Sequence, residues 1–75
     1  MTPLTMKQAK VVLALAECDM RVAKAAVVLH HHPNAVDYHV EKIRKSTGLD
    51  PKSFYDLYML VHMAREVMEG EEDHG

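Results

Sequence analysis

The sequence predicts an all-α fold, a small helical bundle of about four helices containing a helix-turn-helix, and three observations lead there. Apolar residues recur at helical spacing along much of the chain. Helix-start signals stand at Thr5, at His32-Pro33 and at Asp50-Pro51. Two short helices joined by about three residues, the second with a polar outer face, give the outline of a helix-turn-helix.

Thr5 followed three residues later by Gln8 is a capping-box pattern, so the first helix should begin there. Met6, Ala9, Leu13 and Ala16 then fall on one face, widened by Val12 and Leu15. The next segment, MRVAKAAVVL, is expected to be helical and capped by Asp19, with alanines small enough for close helix contact. Helices this short do not hold their shape alone in water, so they must pack on one another.

Pro33 lacks an amide proton and suits the first turn of a helix, which makes His32 the expected cap and His30 and His31 a short turn. Val36, Val40 and Ile43 share the buried face of this third helix. Asn34, Asp37, Tyr38, Glu41 and Lys45 lie opposite, and Thr47 and Gly48 end it. Asp50 and Pro51 repeat the start signal for a fourth helix running to about Glu69. That helix is apolar almost all round. Phe54, Leu57, Val61, Ala64 and Met68 form one stripe, Leu60, Met63 and Val67 lie beside it, and Tyr55, Tyr58 and Met59 flank it. So small a protein cannot bury that whole circumference, and a homodimer or partner interface is expected at Tyr55, Tyr58, Met59, Leu60, Met63 and Val67.

Composition narrows the function classes. Hydrophobic residues at 48% and charged residues at 27% fit a soluble globular domain, and no apolar run approaches membrane-spanning length. The N-terminal MTPLTMKQAK does not read as a signal peptide, so a cytoplasmic chain is expected. The single cysteine, Cys18, rules out an intrachain disulfide and any zinc site built on two thiolates, and reads as core packing. A domain of this size leaves little room for a deep pocket. No nucleophile arrangement is visible, so neither an enzyme nor a small-molecule substrate is expected. His30, His31, His32 and His39 invite a metal reading, but adjacent residues rarely all face one ion; no metal or other cofactor is expected. His31 is placed instead beneath the helix pair, where an aliphatic residue often sits. Charge is uneven: residues 1–65 set all nine cations against six acids, a formal +3, whereas residues 66–75 carry five acids and no Lys or Arg. The expected division is therefore one domain over 1–69 and an acidic, flexible tail over 70–75.

The segment from Val22 to Leu49 resembles the C-terminal helix-turn-helix DNA-binding domain of the PucR family of bacterial transcription regulators. The residues that carry the resemblance are Lys24, Ala25, Ala26 and Leu29, then His30, His32, Asn34, Tyr38, Val40 and Ile43, and finally Thr47, Gly48 and Leu49. The resemblance implies double-stranded DNA as the partner, bound through the helix that opens at Pro33. Asn34, Ala35, Asp37, Tyr38 and His39 would meet the bases, Asn34 as adenine reader, and Lys24, Lys42, Arg44 and Lys45 the phosphates. Where the family usually carries arginine, this chain has Pro33, Asp37 and His39, which removes three cationic groups from the expected reading face. The competing expectation is a protein interaction module on the same scaffold, working through the fourth helix.

Overall fold

The computed structural model describes residues 4–72, which form four helices, α1 (Met6–Glu17), α2 (Val22–Leu29), α3 (Pro33–Thr47) and α4 (Phe54–Glu72). The start of α1 follows from its cap: the Gln8 amide donates to Thr5 Oγ1 at 3.1 Å, and the Thr5 amide donates to Gln8 Oε1 at 3.0 Å. Two orphan donors of the first turn are thereby satisfied.

α1 is the centre of the bundle and packs against all three other helices, while α4 packs against α1. This position changes which of its residues are buried. Ala9, Val11, Val12, Ala14 and Leu15 are in the core, whereas Met6 and Leu13 are only half-buried and Ala16 is exposed. The face expected from Met6, Ala9, Leu13 and Ala16 is therefore turned toward Val11 and Leu15. A helix enclosed by three neighbours buries more than one stripe, and helical spacing alone does not decide which side is left out.

The α1–α2 connection corrects a second expectation. Asp19 does not cap α2; it stands just after the end of α1 with φ 54°, followed by Met20 at φ 64°, and the Met20 amide closes back on the Leu15 carbonyl at 2.7 Å. The cap position of α2 is Arg21, which makes no side-chain capping bond. Aspartate tolerates the left-handed region nearly as readily as it caps helices, so the same residue suits either role.

At the end of α2, His30 takes the left-handed conformation with φ 59°. Its amide reaches the Val27 carbonyl at 3.2 Å, and the His31 amide reaches the Ala26 carbonyl at 2.9 Å. This is the Schellman pattern with histidine where glycine is usual. α3 then opens as expected: His32 Nδ1 accepts from the Asn34 amide at 3.1 Å, and Pro33 occupies the first helical position. That bond satisfies one of the amides that the first turn leaves without a helical partner.

Val36, Val40 and Ile43 are buried and anchor α3 on the fully buried Ala25 and Ala26 side of the core. The helix ends at Gly48, φ 75°, where the amide returns to the Arg44 carbonyl at 2.9 Å. Thr47 ties the exit down: its hydroxyl donates to the Ile43 carbonyl at 2.7 Å and accepts from the Leu49 amide at 3.0 Å. The Thr-Gly-Leu run thus has a mechanical reason, because it turns the chain and sets Leu49 against the core.

α4 begins three residues later than expected. Asp50 and Pro51 form a turn of their own, with Asp50 Oδ1 accepting from the Lys52 amide at 2.9 Å and the Asp50 carbonyl accepting from the Ser53 amide at 2.9 Å. Proline at the second position of such a turn has its backbone angle already set. The first helical bond of α4 runs from the Leu57 amide to the Ser53 carbonyl. Asp56 holds the two parts together by accepting from the Asp50 amide at 2.9 Å. The helix continues to Glu72, so part of the expected acidic tail is helical; residues 73–75 lie outside the described residues.

Candidate nucleic-acid interface

α3 projects from the bundle with its buried stripe inward, and its outer side carries Asn34, Tyr38, Lys42 and Lys45, with Glu41 beside them, all exposed. These four positions follow the helical repeat and form one continuous surface. The residues expected to meet DNA bases fall into three places. Asn34 and Tyr38 are on the outer face, Ala35 and His39 are half-buried on the flank toward α1, and Asp37 is on the opposite flank.

Asp37 is not an uncompensated carboxylate. Lys52, from the α3–α4 turn, reaches its Oδ1 at 3.4 Å. Both side chains remain about half exposed, so the pair is screened and its contribution to stability is small. On the same flank Arg44 donates to Glu41 Oε1 at 3.1 Å. Arg44, expected at a phosphate, thus already has an acidic neighbour one turn back. Lys24, on α2, and Lys45 are exposed, and Lys42 Nζ lies 5.5 Å from the centre of the Tyr38 ring.

The other flank differs in kind. His39 packs edge-on to Tyr38 with ring centres 5.6 Å apart, and its ring lies 6.5 Å from that of His31. Burial first, then the Lys7 charge and His31, lower the His39 pKa from its ordinary 6.5. His31 itself is exposed rather than tucked beneath the helices, because the Schellman turn at His30 carries the chain outward before α3 begins. Lys7 and Lys10 on α1 border this region, although the sequence alone does not point to them. Nothing in their local sequence marks them, since only the packing of α1 beside the α2–α3 turn brings them there. Among the described residues no group of three or more His, Cys, Asp or Glu side chains is arranged to hold a metal ion.

α4 presents a different surface. Phe54, Tyr55, Tyr58 and Met59 are exposed at 73%, 81%, 63% and 56%, although helical spacing puts Phe54 on the buried stripe. Leu60, expected at an interface, is fully buried in the core of the single chain and is not available to a partner; Met63 and Val67 are half-buried.

Two consecutive short helices, a tight turn and an exposed third helix locked by its caps define a helix-turn-helix domain. The match to a family model then specifies which: residues 8–65 match the PucR C-terminal helix-turn-helix domain, and the chain belongs to that family. No curated protein and no solved structure matches the chain. Among the described residues no helix is long and apolar enough to cross a membrane.

Proposed function

We propose that this domain binds double-stranded DNA as part of a small bacterial transcription regulator, with α3 as the recognition helix. The observation that carries this reading is the outer side of α3, where Asn34, Tyr38, Lys42 and Lys45 stand exposed in one row on a helix fixed at both ends. Asn34 would read adenine and Tyr38 touch a phosphate or a thymine methyl, with Asp37 bordering this set on one flank and Ala35 and His39 on the other. Lys24, Lys42, Arg44 and Lys45 hold the backbone. The domain acts by binding rather than catalysis, in the cytoplasm, and pairs into a homodimer through the exposed side of α4, giving two half-sites. The domain proper would end near residue 69, before the acidic segment.

Duplex binding by the full chain, measured between about 50 and 200 mM salt, tests this directly. The logarithm of affinity should fall linearly with the logarithm of salt concentration, and Asn34→Ala should weaken preferred sites by about 1 to 3 kcal/mol while leaving unrelated duplexes nearly unchanged. Absence of binding at low salt contradicts the proposal. A second reading, a protein interaction module, is favoured by one specific observation: the four exposed apolar side chains at the start of α4.

A further inference from the structure

We infer that Lys7 and Lys10 of α1, with His31 and His39, form a second seat for a DNA backbone phosphate, continuous with the outer face of α3. An open groove of about 450 Å³ lies between α1 and the end of α2, lined by Met6, Lys7, Lys10, Leu29 and His31. Its apolar floor, Met6 and Leu29, carries cationic and imidazole groups at the rim. The groove joins the expected reading surface through an unbroken set of ring contacts, from His31 to His39, from His39 to Tyr38, and from Tyr38 to Lys42.

The distribution of acids supports the assignment. Asp37 is on the far flank of α3 and Glu41 on its outer side, and they are engaged with Lys52 and Arg44. The charged and titratable groups acting on His39 are Lys7 from α1 and His31 from the α2–α3 turn, and neither is acidic. The flank carrying Ala35, His39, Lys42 and Ser46 has no carboxylate. A phosphate approaching α3 therefore meets attraction on this side and paired charges on the other.

Binding at the seat has a consequence for protonation. In the free protein burial and the Lys7 charge hold His39 below its ordinary value, so it is neutral near pH 7. A phosphate beside Lys7 offsets that charge and favours the imidazolium, which raises the His39 pKa in the complex. Affinity at this seat should therefore increase as pH falls through the bound-state value and level off below the free-state value.

The inference rests on the DNA reading, and two measurements keep their failures apart. The first compares duplex binding by the wild-type chain and by Lys7→Gln/Lys10→Gln, both positions being exposed. The double variant should bind several-fold more weakly per lysine at about 0.1 M salt, equally on all sequences, with the salt slope reduced by roughly 0.9 for each phosphate no longer neutralised. The second follows the His39 ring by NMR through a pH titration of the full chain, alone, with inorganic phosphate and with a short duplex. The His39 pKa should rise with the duplex; a rise with phosphate alone as well shows that the seat recognises the anion without the helix. Wild-type binding with an unchanged slope in the double variant overturns the seat and leaves the DNA reading standing. A chain that binds no duplex defeats the DNA reading and, with it, the seat as a backbone contact, even where the His39 pKa rises with inorganic phosphate. An unchanged or lower His39 pKa with both ligands overturns the seat.

Discussion

α3 and α4 each bury a stripe of three side chains, Val36, Val40 and Ile43 in one, Leu57, Leu60 and Ala64 in the other, yet their outward sides are opposite in chemistry. α3 turns Asn34, Tyr38, the basic Lys42, Arg44 and Lys45 and the acidic Asp37 and Glu41 to solvent. α4 turns Phe54, Tyr55, Tyr58 and Met59 outward. The difference follows from packing. α3 lies against α1 and α2, and its apolar residues match what those neighbours cover; α4 lies against α1, and its apolar circumference exceeds the cover one neighbour provides. One surface is polar and partly cationic and the other is apolar, so the two helices offer different chemistries on one small scaffold.

The largest expected effect concerns the buried side of α4. Leu60→Ala should lower stability by about 2 to 5 kcal/mol, because it removes a fully buried side chain from the core of the single chain. Chemical denaturation at a concentration where the protein is monomeric measures this. A loss that appears only at concentrations favouring the dimer would return Leu60 to an interface and erase the distinction between the two sides of α4.

A smaller effect is expected on its exposed side. Tyr55→Ser with Met59→Ser should weaken self-association at least about tenfold, while the stability of the monomer changes by no more than about 0.5 kcal/mol per position. Sedimentation at micromolar concentration reads the first and thermal unfolding of the monomer the second. A wild-type chain that stays monomeric throughout would remove the homodimer and leave the exposed aromatic side chains to another partner.

Much of this division is legible in the sequence, and the exceptions have physical causes. The Thr5–Gln8 box, the His32–Pro33 start, the Val36–Val40–Ile43 stripe and the Gly48 stop are readable because each depends on residues within one or two turns. The outward placement of Asn34, Tyr38 and Lys45 follows from the same stripe. What escapes depends on distant packing. The burial of Val11 and exposure of Ala16 reflect three neighbours around α1, the exposure of His31 reflects the left-handed turn at His30, and the pairing of Asp37 with Lys52 spans the turn into α4. Lys7 and Lys10 are an example of the same kind, since helical spacing places them off the core but only tertiary packing sets them beside the α2–α3 turn.

Asp37→Arg tests whether the outer side of α3 meets DNA. Asp37 borders that side and is held, among the described residues, by an exposed pair with Lys52. The substitution removes a negative charge, frees Lys52 and adds a cation, so the full chain should bind unrelated duplexes more tightly. Its salt dependence should steepen by roughly 0.9 for each additional phosphate neutralised. Affinity and salt slope both equal to those of the wild type would show that this face does not meet DNA and would transfer the working surface to α4.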